Sequence, residues 1–303
     1  MPNALNISHV QEAQSLLNTA DGAATGASRR TAIKAALGVG YAASLGAAVA
    51  QTAIKTSSEG LTAGEFVVEV NGFKVRSYRA APAGKTNLPV VLVVQEIFGV
   101  HEYIADTCRR FAKMGYMAIA TELFDRQGDP TKYNAVPDLI KEVVSKVPDA
   151  QVMTDLDAMV KWAGANGGDT SKVAVTGFCW GGRITWLYAA HNPSVKAGVA
   201  WYGRLLGATN DLTPKNPIDL VASISGPVLG LYGAADTGIP VDTVDKMKEA
   251  LKGGSAAAKK SEFVVYEGAP HAFHADYRPS FRQQPAEDGF KRAVDWFKAN
   301  GVA

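Results

Sequence analysis

The amino-acid sequence predicts an α/β fold: a mostly parallel sheet covered by helices on both faces. Three observations carry that expectation. The apolar runs at 88–95 and 117–120 are continuous rather than alternating, as in strands buried on both sides. Stretches with helical spacing fall between such runs, so strand and helix alternate along the chain. No Pro/Gly-rich linker interrupts residues 64–303, which therefore read as one domain.

Each element has its own reason. Residues 65–70 and 73–80 alternate apolar and polar about Asn71-Gly72, a hairpin signature. Residues 88–95 form a buried strand, 104–114 a helix closed by Gly115, and 117–120 a second buried strand. The region 129–148 is looser and more polar, with some helix. Residues 150–165 carry Val152, Leu156, Met159, Val160 and Ala163 at helical spacing. Strands follow at 172–176, 195–201, 227–232 and 262–266, with helices at 181–190, 241–251 and 286–299.

Composition narrows the function classes. In 303 residues, 47% hydrophobic and 20% charged, there is ample material for a core. Lys and Arg number 31 against 29 acidic residues, and no basic run could track a phosphate backbone. Nucleic acid is excluded as an expected partner. Two cysteines, Cys108 and Cys179, make neither a disulfide framework nor a zinc site. Without a Gly-rich phosphate loop or histidines at ligand spacing, no cofactor and no metal are expected.

The first fifty residues read as an address. Arg29-Arg30 precede 35–50, sixteen uncharged residues too short and too rich in Ala and Gly to span a bilayer. The stretch ends Ala48-Val49-Ala50, a small-x-small cleavage pattern, and the whole resembles a twin-arginine export leader. The expectation is a signal peptide at 1–50, cleavage near Ala50, and a short linker at 51–63. It implies the export machinery as partner of the precursor, a periplasmic product, and no stable membrane association after cleavage.

The chemistry-bearing motif is Gly177-Phe178-Cys179-Trp180-Gly181-Gly182, set between a strand and a helix. This is a nucleophile elbow with Cys in the Ser position. A sharp strained turn lifts the nucleophile from the sheet, and its glycines let backbones pack closely. The helix N-terminus favours a thiolate and offers the Trp180 N–H to an oxyanion. Asp236 and His271 each follow a strand, in the order nucleophile, acid, histidine that such a site requires. His271, oriented by Asp236, is the expected base; His274 lacks the strand-end position. Glu96 ends an apolar strand, an expensive place for a carboxylate that is neither used nor paired. Cys108 reads as a packed small residue, and Arg109-Arg110 as a solvated helix face.

With these residues in view, 64–300 resembles the dienelactone hydrolases (carboxymethylenebutenolidases), enzymes of the α/β-hydrolase fold. The carrying motifs are Gln95-Glu96-Ile97-Phe98-Gly99, the Cys179 elbow, Gly233-x-x-Asp236 and His271-x-Phe273. The resemblance implies that Glu96 takes the thiol proton and that the Ile97 N–H is the second oxyanion donor. It also implies Tyr202 near the pocket; Phe98 and Arg278 are further substrate-binding candidates, Arg278 lying seven residues past the histidine, where it could stand in for a family arginine. One family arginine, four residues past the histidine, is replaced here by Ala275, and the segment of the other holds only Lys132, Lys141 and Lys146.

The expected reaction is attack of the Cys179 thiolate on an enol-lactone or activated ester, a small-molecule substrate. A broad carboxylesterase of the same mechanism is the alternative. A peroxide-reactive redox thiol is a further one, and it leaves Asp236 and His271 unexplained.

Overall fold

A computed structural model describes residues 53–303. The leader and cleavage site expected at 1–50 lie outside the described residues. Among the described residues, eight strands form one sheet in the order β1-β2-β4-β3-β5-β6-β7-β8. The hairpin is β1 (Leu61–Val70) and β2 (Phe73–Pro82), joined at Asn71-Gly72 with both residues at positive φ. β2 pairs antiparallel with β4 (Met117–Thr121). From there β3 (Leu88–Val94), β5 (Gly168–Phe178), β6 (Val195–Trp201), β7 (Val228–Gly233) and β8 (Glu262–Tyr266) run parallel.

The strand period of two decides which face each side chain serves. Val90, Leu92 and Val94 point to one core, Val91 and Val93 to the other. The first core is closed by α2 (Val136–Glu142), α3 (Asp149–Ala165), α4 (Trp180–His191) and α5 (Val241–Lys252). The second is closed by α1 (Glu102–Lys113) and α6 (Gln283–Ala299), through Ile104, Phe111, Val294 and Phe297. Central strands buried on both faces explain why their sequences are continuously apolar.

Two features differ from the sequence expectations. β1 begins at Leu61, and residues ahead of it are bonded to the domain: Thr56 donates its N–H to Asp106 Oδ1 at 2.6 Å and accepts from Arg109 Nε at 3.0 Å. Part of the expected linker is thus pinned to α1. Arg109 and Arg110, read as a solvated face, are largely buried instead. Both pair with the fully buried Asp106, and Arg110 also pairs with Asp276. Asp106 lies one turn away on the same helix, but the groups that cover the two arginines, Asp276 and the segment at Thr56, come from distant parts of the chain. Cys108, between Asp106 and Arg110 on α1, is buried in the second core, as a small packed residue would be.

Candidate active site

In a parallel sheet the loops at the carboxyl ends of the strands converge on one side. Here five of them carry the residues in question. Glu96 lies two residues past β3, Cys179 directly after β5, Tyr202 directly after β6, Asp236 three past β7 and His271 five past β8.

Cys179 sits at φ 56°, ψ −117°, a conformation that costs a non-glycine residue free energy. The surroundings hold it there. Its N–H bonds the Trp201 carbonyl at 3.0 Å, and its carbonyl accepts from the Gly182 N–H at 2.9 Å. A Cβ on Gly181 would stand 2.5 Å from the Gln95 and Val94 carbonyl oxygens, so only glycine lets α4 start this close to β3. Trp180 is the first helical residue, and N–H groups of a first turn have no partner within the helix. Arg183 fastens this helix by a two-pronged bond to Asp149, 2.7 Å to each oxygen.

Asp236 and His271 are joined through Oδ2 and Nδ1 at 2.7 Å, both buried. The other Asp236 oxygen accepts the Gly238 and Ile239 N–H groups at 2.9 and 3.0 Å, so the same carboxylate organises its own turn. The two loops are stitched together by Ala235 N–H to the Ala269 carbonyl at 3.0 Å. His274, also buried, turns away from this pair. Its Nδ1 meets the Tyr103 hydroxyl at 2.7 Å, and burial, aided by Arg110, keeps it neutral.

Glu96 is fully buried. Its Oε2 accepts the Tyr277 hydroxyl at 2.7 Å, and its Oε1 has no hydrogen-bond partner. Burial foremost, and Glu96 next, hold the Tyr277 phenol protonated. Tyr202, at φ 38°, packs its ring on His271 with centroids 5.1 Å apart. Its phenol is also held protonated, by burial first and then by nearby Tyr103, Glu96 and Cys179. Arg278 is half-buried and stands 5.6 Å over the Phe98 ring, with Nη1 lacking a partner. Burial opposes its charge, but Tyr277, Glu96, Cys179 and Tyr202 outweigh that and raise its pKa. Cys179 and Glu96 thus both lie within electrostatic reach of Arg278 and Tyr202.

Cys179, Glu96, Asp236, His271, Tyr202, Phe98 and Arg278 therefore come together, with the Ile97 backbone beside Glu96. Lys132, Lys141 and Lys146 are all exposed, and Lys141 and Lys146 pair with Glu142. Sequence reasoning missed Tyr277 and Glu122. Glu122 follows β4, is buried, and accepts Gln95 Nε2 at 3.1 Å and the Val100 N–H at 2.7 Å. It thereby braces both ends of the loop that carries Glu96 and Ile97. An acid closing an apolar strand was the signal that singled out Glu96, and Glu122 carries the same signal.

Residues 75–301 match the model of the dienelactone hydrolase family. A Methylorubrum extorquens protein named "Putative carboxymethylenebutenolidase" is 57% identical over 282 residues, 93% of this chain and 96% of its own. A Klebsiella pneumoniae crystal structure titled "Putative Dienelactone Hydrolase" superposes with TM-score 0.76 at 54% identity, covering 78% of this chain and 98% of that one. An uncomplexed Pyrococcus horikoshii acylaminoacyl peptidase, at 15% identity and TM-score 0.63, shares the fold alone over 84% of this chain and 43% of its own.

Proposed function

The chain belongs to the dienelactone hydrolase family, and from that premise we propose that it hydrolyses enol lactones and activated carboxylic esters with Cys179 as nucleophile. The observation that carries this reading is one cluster. The strained Cys179 and the buried Glu96 both lie within electrostatic reach of Arg278 and Tyr202, and His271, bonded to Asp236, packs its ring on that same Tyr202.

Glu96 Oε1 takes the thiol proton as substrate arrives. The thiolate then attacks the carbonyl carbon, forming a C–S bond while the carbonyl electrons move onto oxygen. The Trp180 and Ile97 N–H groups hold that oxyanion, a contribution of roughly 3 kcal/mol per donor. Collapse breaks the C–O bond and expels the enolate or aryloxide, which takes up the proton held on Glu96. His271, kept in one tautomer by Asp236, then draws a proton from water, which attacks the thioester and breaks the C–S bond; the imidazolium returns that proton to the thiolate and restores the resting thiol. A thiolate leaves more readily than an amine or simple alkoxide, so with amides the intermediate reverts to substrate. Stabilised leaving groups go forward, which favours lactones and aryl esters over peptides.

Arg278 offers an unpartnered Nη1 to a substrate carboxylate from a position seven residues past His271. A guanidinium there supplies directed donors that a lysine ammonium does not. Tyr202 and Phe98 line the same end of the site.

The test is loss of the dienelactone ultraviolet band with the whole chain and with Cys179→Ala. Rapid loss that vanishes in the variant supports the reading. No loss, with aryl acetates still cleaved through Cys179, leaves a broad carboxylesterase of the same mechanism. Turnover unchanged in Cys179→Ala removes Cys179 as nucleophile.

We also propose that residues 1–50 export the folded protein to the periplasm. The support is the Arg29-Arg30 pair, the uncharged stretch and the Ala48-Val49-Ala50 ending. Replacing both arginines with lysine should leave the protein in the cytoplasmic fraction at full length; a wild-type distribution would refute the leader.

A further inference from the structure

We propose that Tyr277 is a positioning residue for Glu96, holding one carboxylate oxygen so that the other is left to take the Cys179 proton. The inference rests on the reading of Glu96 as the thiol's base. A buried carboxylate has two equivalent oxygens and is free to turn about its terminal torsion unless something binds one of them. Here the Tyr277 hydroxyl donates to Oε2 at 2.7 Å, and Oε1 is buried without a partner. The carboxylate is thus divided into a tethered oxygen and an available one.

The tether is itself rigid. The Tyr277 residue is 4% exposed, and its ring packs edge-on against His101 at 4.9 Å and tilted against Tyr103 at 5.3 Å. The Arg278 N–H bonds the Ala275 carbonyl at 3.0 Å, closing the turn that presents Tyr277.

The polar groups facing Glu96 come from three elements, and they divide the work. Tyr103 on α1 commits its hydroxyl to His274 Nδ1 at 2.7 Å. Tyr202, after β6, feels the charge of both Glu96 and Cys179. Arg278 supplies positive charge, and Tyr277 supplies the directed hydrogen bond. Tyr277 and Arg278 share the loop that begins at His271, so one segment carries both the histidine and the clamp on the glutamate.

Tyr277→Phe removes the hydroxyl and keeps the ring, so a packing role alone would survive it. The measurement is the rate at which iodoacetamide alkylates Cys179, read by peptide mass spectrometry, together with kcat and KM for an aryl acetate. It is made in the full chain, in Tyr277→Phe, in Glu96→Gln and in the double variant. A hydrogen bond to a charged group is large enough that its loss should slow alkylation and lower kcat about tenfold. KM should stay within about twofold, and Tyr277→Phe should add less than about twofold in the Glu96→Gln background, because the pair acts as a unit. Wild-type rates in Tyr277→Phe, or an equal loss in both backgrounds, would overturn the clamp while leaving Glu96 as base. Wild-type alkylation in Glu96→Gln would remove Glu96 as base and the clamp with it. Alkylation needs no substrate, so these outcomes are separate from any error in substrate class.

Discussion

Asp236 and His271, 35 residues apart in the chain, meet in a buried 2.7 Å hydrogen bond, while the second Asp236 oxygen accepts two backbone N–H groups. The carboxylate therefore fixes the imidazole and is itself fixed by its turn. Asp236→Asn retains an oxygen for the turn but can present an amide N–H to Nδ1, which favours the wrong tautomer. Steady-state kinetics should show kcat lowered roughly 100- to 10,000-fold with KM little changed. A melting curve should show only a small loss of stability.

In the proposed function Arg278 is the residue that reads substrate charge. Arg278→Ala should raise KM for a carboxylate-bearing lactone by about 10- to 100-fold, the scale of one charge-assisted hydrogen bond. For neutral aryl acetates KM should change by less than about threefold, whatever happens to kcat. Arg278→Lys should recover only part of the loss, since a mobile ammonium does not reproduce a guanidinium fork. Equal losses on charged and neutral substrates would show that Arg278 does not read the carboxylate.

The elbow depends on close backbone contact between loops of β5 and β6. A Cβ on Gly203 would stand 2.2 Å from the Gly182 carbonyl carbon, and no side chain can yield there because both sides are backbone. Gly203→Ala should therefore destabilise the protein by about 3 kcal/mol or more, beyond ordinary overpacking. Urea unfolding should show the midpoint falling. Esterase activity should fall with it, because Cys179 takes its N–H partner, the Trp201 carbonyl, from the end of β6, two residues before Gly203.

His101 gives a pH dependence of stability. Burial, and Arg278 after it, lower its pKa from 6.5 to about 3. A histidine depressed in the folded state takes up its proton more readily when unfolded. The stability its neutral form supplies is whole above pH 6.5 and drains as the pH falls toward 3. His101→Phe removes that titration. Its unfolding free energy should fall less steeply between pH 6 and 3 than the wild type's, by at most about 1.4 kcal/mol per pH unit. Parallel curves would show that His101 titrates alike in both states.

Much of this architecture was legible because period and punctuation are local. The apolar runs at 88–95 and 117–120 became β3 and β4, and Asn71-Gly72 became the hairpin turn. The helix expected at 104–114 formed at Glu102–Lys113. The candidate site was legible for the same reason. Cys179, Asp236, His271 and Glu96 each sit just past a strand, and a parallel sheet gathers such positions at one end.

Partnership was not legible. Arg109 and Arg110 read as a solvated pair, because nothing near them in sequence announces Asp276, 166 residues beyond Arg110. The clamp of Tyr277 on Glu96 spans 181 residues, and the brace of Glu122 on Gln95 spans 27. The sequence by itself determined which elements form and which reactive types end them, since both follow from neighbours within a few residues. Only the tertiary structure decided which buried charge meets which donor, because that choice is made by packing between segments distant in the chain.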